Sequence, residues 1–215
     1  MKKHVKSILI QLGYPDIIVD NLYHPVGFVE PLFNPDTIDK MDTIVSLGAQ
    51  LRKNTTIYKL KTQHKKLWLP GRSQYEALDL IKQECKQYNI NITHHEMKSV
   101  IIQQLSNNDY DNILLNSFII IDIYDASANN SVIECISRNI PCFVSNLPAV
   151  REYIGDDYPL LFNNINELET MLTNKELIIS GYNYLKERPY LKERLTIDNF
   201  MKDILNSEIT KSLYI

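Results

Sequence analysis

The run Phe118-Ile119-Ile120-Ile121-Asp122-Ile123 is followed by Tyr124-Asp125-Ala126-Ser127-Ala128-Asn129-Asn130 and then by Ser131-Val132-Ile133-Glu134. The first part is apolar without alternation, which suits a central strand of a parallel sheet covered on both faces. The second is a polar loop entering a helix expected over Val132 to Asn139. A strand, a loop and a helix in this order make the first two-thirds of a right-handed βαβ unit. Ligands of open parallel sheets bind at the carboxyl ends of the strands, so chemistry is expected on the Tyr124–Asn130 loop.

The alternation continues on both sides. Thr43 to Gly48 is a β-branched run ended by glycine, and Leu67-Trp68-Leu69 is a strand stopped by Pro70-Gly71. Ser73 to Tyr88 places Ala77, Leu80, Ile81 and Cys85 on one helical face and Glu76, Lys82 and Lys86 opposite. Ile90-Asn91-Ile92 reads as a third strand, His94 to Leu105 as a short helix and Tyr110 to Leu115 as a helical turn. Downstream, Pro141 to Ser145 is a strand, Ala149 to Ile154 a helix and Pro159 to Phe162 an edge strand. The rest, from Ile165, is helical with a break at Pro189. The pattern predicts an α/β fold with a mostly parallel sheet flanked by helices. Residues 1–40, with Pro15, Pro25, Pro31 and Pro35, read as a proline-rich arm or connector, and residues 41–215 as the domain.

The chain has 215 residues, with 23 Lys and Arg against 26 Asp and Glu. That balance leaves no broad basic surface for gripping a phosphate backbone, so nucleic acid is not an expected partner. A 44% hydrophobic share at this length suits a globular protein of one domain, at most two small ones. Cys85, Cys135 and Cys142 lie in apolar stretches at unpaired spacings and read as reduced core residues of a cytoplasmic protein. The basic start lacks a long apolar stretch and a small-residue cleavage site, so it is not expected to be a signal peptide. The Ile113–Ile123 run is broken by Asn116, Ser117 and Asp122, short of the roughly 18 apolar residues of a transmembrane segment.

At the start of the Val132 helix, the N–H groups of Asn130, Ser131 and Val132 and the helix dipole favour an anion such as a diphosphate. Ser131 and Glu134 also have the spacing of a capping box, which needs no ligand. Both readings stand together, since a start capped when empty can receive an anion when occupied. Arg52-Lys53, after the glycine that ends the first strand, reads either as a solvated pair or as cations for a phosphate. His94-His95-Glu96 has no further Cys or His at ligand spacing, so it reads as loop polar groups and no metal site is expected.

The segment from Asp125 to Val144, followed by Pro148-Ala149-Val150-Arg151-Glu152-Tyr153-Ile154-Gly155, resembles the C-terminal, nucleotide-sugar-binding half of retaining GT-B glycosyltransferases of the glycosyltransferase group 1 family. Glu134 matches the second of the family's two glutamates, Asn139-Ile140-Pro141 its Gly-x-Pro corner and Glu152 a later acidic position. Leu47-Gly48-Ala49-Gln50-Leu51-Arg52-Lys53 is similar to the family's Gly-Arg-Leu loop with a following lysine, and Tyr23-His24-Pro25-Val26 to the connector between the two halves. The likeness spans about residues 22 to 205.

The resemblance implies a single Rossmann-like half whose nucleotide-sugar site is built from Gly48, Asp125, Asn129, Asn130, Ser131 and Glu134. Glu134 would receive the ribose hydroxyls, and Asn129, Asn130 and Ser131 would hold the diphosphate. Arg52 and Lys53 would be the catalytic cations that stabilise the departing nucleoside diphosphate. The family's first glutamate, which contacts the transferred sugar, falls at Ala126, with Asp125 one residue early as its substitute. The implied activity is metal-independent, configuration-retaining transfer from a UDP- or GDP-sugar to a glycan or protein acceptor, of the hexosyltransferase type and without a cofactor. The complete two-domain enzyme needs more than 215 residues, so the acceptor-binding half is expected from a partner chain or a larger protein. The alternatives are a non-catalytic nucleotide-sugar-binding or assembly subunit, and an unrelated flavodoxin-like regulatory domain.

Overall fold

The computed structural model describes residues 2–20, 22–26, 30–125 and 129–213. Thr43–Leu47 (β1), Lys65–Leu69 (β2), Val100–Ile102 (β3), Phe118–Ile121 (β4), Phe143–Ser145 (β5) and Leu161–Phe162 (β6) form one sheet in the order β3-β2-β1-β4-β5-β6. Every pairing is parallel; Ile44 of β1 faces Lys66 of β2 on one side and Phe118 of β4 on the other. The strand order reverses between β1 and β4. A crevice therefore opens at their carboxyl ends, where the loops after Leu47 and after Ile121 leave in opposite senses. All four residues of β4 are buried, as expected of a strand covered on both faces.

The helices are Lys2–Gln11 (α1), Thr56–Lys59 (α2), Gln74–Tyr88 (α3), His94–Lys98 (α4), Asn107–Leu115 (α5), Asn130–Arg138 (α6), Pro148–Ile154 (α7), Ile165–Leu172 (α8), Lys175–Lys186 (α9), Tyr190–Glu193 (α10), Ile197–Asn206 (α11) and Glu208–Leu213 (α12). The amphipathic α3 buries Ala77 and Ile81 and starts at a capping box between Ser73 and Glu76. The break at Pro189 falls between α9 and α10. Trp68 packs in the sheet, fully buried. Cys85, Cys135 and Cys142 are free thiols, the last two buried. No helix among the described residues is long and apolar enough to cross a membrane.

Several expected boundaries move. The third strand is Val100–Ile102, not Ile90–Ile92. Asn89 ends α3 in the left-handed conformation (φ 52°), and the Ile90 N–H returns to the Cys85 carbonyl, so that segment closes a helix instead of joining the sheet. The helix expected to reach Leu105 stops at Lys98, because Val100 to Ile102 pairs with β2. His94 and His95 are helical, in the first turn of α4, and not in a loop. In the arm, Lys2–Gln11 precedes the first proline and is helical, while Pro35–Lys40 is a 3₁₀ turn with Pro35 at its start. Phe33 and Ile38 are buried against the main core, so the chain is already packed on the domain before residue 41.

Candidate functional site

β1 is followed by Gly48, whose φ of 78° is a conformation that favours glycine. A Cβ there would lie 3.2 Å from Nε of Arg52 and 3.4 Å from Nη2. The Trp68 indole N–H donates to the Gly48 carbonyl at 2.8 Å, which fixes the turn. Arg52 folds back beneath it. Its Nε donates to the Leu47 carbonyl at 2.9 Å and its Nη2 to Asn129 Oδ1 at 3.0 Å and Ser131 Oγ at 3.4 Å. Burial pushes its pKa below the ordinary arginine value, yet a guanidinium stays charged in proteins. The loop after β1 is thereby tied to the loop after β4, across the point where strand order reverses.

The structure changes the capping role expected of Ser131. The cap of α6 is Asn129, whose Oδ1 accepts from the Val132 N–H at 3.3 Å. Glu134 makes no capping box; its Oε2 accepts from the Tyr110 hydroxyl at 2.7 Å. The helix begins two residues earlier than expected because Asn129, only 2% exposed, already supplies the acceptor. Ser131 then lies inside the first turn, and its hydroxyl oxygen accepts from Arg52. The Asn129 Nδ2 is buried and has no hydrogen-bond partner among the described residues.

A cleft of about 420 Å³ lies above these groups, lined by Gly48, Arg52, Arg72, Asp125, Asn130 and Ser131 among others. A second hollow of about 430 Å³ adjoins it, sharing Gly48, Pro70, Gly71 and Ser131 and continuing to Gln103 and Tyr110. Burial, and then the neighbouring Glu134 carboxylate, push Tyr110 well above the ordinary phenol value, so it is a neutral donor. The cleft thus combines two guanidinium groups with the positive end of a nine-residue helix. That arrangement suits a diphosphate, and the second hollow has room for the rest of a nucleotide.

Of the residues singled out in the sequence, Gly48, Arg52, Asp125, Asn130 and Ser131 line this cleft. Asn129 sits behind it and holds Arg52. Glu134 lies one turn into α6, hydrogen-bonded to Tyr110 at the wall of the second hollow. Lys53 is not among the lining residues: its ammonium pairs with Asp122 at 3.2 Å and lies 5.7 Å from the Tyr124 ring centre. Glu152 is on α7, and Ala126 lies outside the described residues. Arg72 is a lining residue that the sequence reading missed. Its signal is the Pro70-Gly71-Arg72 turn, which leaves the carboxyl end of β2 as Gly48 leaves that of β1. Among the described residues no three His, Cys, Asp or Glu side chains converge as a metal-binding group.

No family model matches the sequence, and no curated protein does. Solved structures match by fold. A glycosyltransferase from Rickettsia africae superposes with a TM-score of 0.62 at 13% identity, over 99% of this chain and 62% of the other. A mutant of S. aureus TarM, solved with Fondaparinux, alpha-GlcNAc-glycerol and UDP, matches with a TM-score of 0.61 at 11% identity, over 96% of this chain and 42% of its own. The lipopolysaccharide outer core galactosyltransferase WaaB gives 0.60 at 13% identity, over 95% and 60%. The chain has the Rossmann-like α/β fold of one half of a GT-B glycosyltransferase. It spans 42–62% of the length of these three structures.

Proposed function

We propose that the chain binds a nucleoside-diphosphate sugar and serves as the donor half of a glycosyltransferase. The observation that carries this reading is Arg52, fixed by Leu47, Asn129 and Ser131 beside the N-terminus of α6 and facing the cleft it shares with Arg72. In this reading the diphosphate lies against Arg52, Arg72 and the first turn of α6. The ribose reaches Glu134, whose second carboxylate oxygen has a hydroxyl to accept once Tyr110 holds the first. The base occupies the hollow toward Gln103, and the transferred sugar points toward Asp125. UDP is the first nucleotide to test, with GDP beside it.

In transfer, the bond from the anomeric carbon to the diphosphate oxygen breaks and its electron pair leaves on the diphosphate. The acceptor hydroxyl forms the new bond to that carbon and gives its proton to an oxygen of the departing diphosphate. Fixed cations at the departing diphosphate stabilise the charge that develops there. No metal is assigned to this step, and the sugar keeps its configuration. The acceptor half belongs to a partner chain or to a longer protein. A subunit that binds the donor without transfer is the second reading, motivated by Ala126 at the family's glutamate position.

Thermal unfolding with UDP, GDP, ADP and their sugars tests the proposal. A ligand at about 100 times its Kd stabilises by about 2.7 kcal/mol, roughly 5–11 °C for a chain of this size. Arg52→Gln should remove most of that shift. The absence of a shift with every nucleotide would refute donor binding. Release of free sugar from the bound donor would separate a transferase from a binding subunit.

A further inference from the structure

At the other end of the sheet, Lys66 at the start of β2 and residues of α2 and α4 border a cavity of about 330 Å³. Its wall carries Lys59, Lys61, Lys66, His64 and His95, with Glu96 as the acidic member. Lys59 donates to both oxygens of Glu96, at 2.9 and 3.0 Å, so this pair is neutral. Lys61 and Lys66 are then the lining cations that no lining carboxylate pairs, in a chain whose formal net charge is -3. Nearby Glu169 accepts from the Lys61 backbone N–H at 2.6 Å.

Lys66 is the unusual group. It is 9% exposed, and its ammonium, which has three donors, makes one hydrogen bond among the described residues, to the Tyr58 carbonyl at 3.3 Å. Burying a cation with so few acceptors is unfavourable unless another anion completes its shell. Burial pushes the Lys66 pKa below the ordinary lysine value, with Glu96 and Glu169 acting against that push. His64 is held in place by a 2.8 Å contact between Nδ1 and Thr62 Oγ1 and by its ring edge on Phe118. Lys66 and Pro70 are roughly 13 Å apart along the strand, so this cavity is separate from the nucleotide cleft.

We propose that this cavity binds a phosphate group, carried by a soluble phosphomonoester or by a lipid headgroup, through Lys61, Lys66 and the two histidines. Two ammonium groups and two imidazole rings lining one hollow offer several donors to the oxygens of a phosphate, more than a lone carboxylate has oxygens to receive. The site stands whether or not the cleft takes a nucleotide.

NMR titration of the full chain with inorganic phosphate, read at the His64 and His95 ring signals, tests the proposal. Saturable shifts are expected, with affinity falling at least about tenfold in Lys61→Gln and in Lys66→Met. Lys61 is exposed, so its variant keeps the test valid should Lys66→Met fail to fold. Arg52→Gln should leave the titration unchanged. Shifts that do not saturate or that survive the lysine variants would overturn the site. Sedimentation with phosphatidic acid vesicles, against phosphatidylcholine controls, then assigns the source. Capture lost in Lys61→Gln supports a lipid headgroup, whereas no capture beside an intact phosphate titration supports a soluble ligand.

Discussion

Gly48→Ala is the sharpest single test of how the cleft is built. Two costs follow from the geometry. A side chain at φ 78° costs about 1–2 kcal/mol in backbone strain. The new Cβ would sit 3.2 Å from Arg52 Nε, so the guanidinium must shift away from the Leu47 carbonyl and Asn129. Hydrogen bonds from a charged donor contribute about 1.5–3 kcal/mol, and weakening one adds on the order of 1 kcal/mol. The expected loss is about 2–3 kcal/mol, seen by calorimetry as a fall in Tm of roughly 4–12 °C. Affinity for UDP should fall about tenfold by isothermal titration, because Arg52 would no longer point where the proposed diphosphate lies. Repeating the change in an Arg52→Gln background separates the two costs, since only the backbone strain of about 1–2 kcal/mol should remain. An equal loss in both backgrounds would refute the claim that glycine is required there by the guanidinium, and an unchanged Tm would refute the strain as well.

Three further outcomes are expected. Arg72→Ala, at an exposed position, should change stability by less than about 0.5 kcal/mol yet weaken UDP binding, as thermal unfolding and titration together would show. Glu134→Gln keeps the contact with Tyr110 but turns a charge-assisted acceptor into a neutral one. It should weaken UDP binding about tenfold while leaving pyrophosphate, which has no ribose, unaffected. The Glu96 carboxyl is held down to about 2 by the Thr93 backbone N–H, then Lys59 and the Thr93 hydroxyl. Its folded pKa lies below the unfolded value near 4.5, so its contribution is complete above that pH and is lost as pH falls from there toward 2. Urea midpoints measured across that window should fall less steeply in Glu96→Gln than in the parent.

The parts of the fold that sequence revealed are those where one physical signal dominates. Phe118 to Ile121 has no polar face, so only a strand covered on both sides fits it, and its neighbours in the sheet follow from the helices between. Ile90–Ile92 and Val100–Ile102 carry nearly equal β signals; the choice is made by Asn89, whose left-handed turn commits the first run to closing α3. The Ser131-x-x-Glu134 spacing is a valid cap pattern, but Asn129 takes the cap position two residues earlier by accepting the Val132 N–H, which places Ser131 inside the first turn. Arg52 and Lys53 are adjacent in sequence, so no spacing rule could divide their roles. Arg72 carries little signal of its own, since the Pro70-Gly71 turn that ends β2 exposes the next side chain whether it faces a cleft or open solvent.

The division between Arg52 and Lys53 follows from two buried carboxylates that grip the loop between β1 and α2. Glu84, 6% exposed, accepts from the Asn54 and Thr55 N–H groups at 2.8 and 3.1 Å, from the Thr55 hydroxyl at 2.7 Å and from Tyr124 at 3.2 Å. Asp122, 8% exposed, accepts from Thr56 and Ser145 hydroxyls at 2.7 Å each and faces Lys53 at 3.2 Å. A buried carboxylate is tolerated only when its lone pairs are satisfied, so a loop conformation that withdrew these donors would strand two charges. The loop is thereby restricted to one arrangement before any ligand arrives. In that arrangement Lys53, half-buried, offsets the charge of Asp122, while Arg52, one residue earlier, turns to the cleft. Binding then carries little of the ordering cost that a mobile loop would add. This makes Arg52 the cation of the cleft and Lys53 the counter-ion that lets the loop exist.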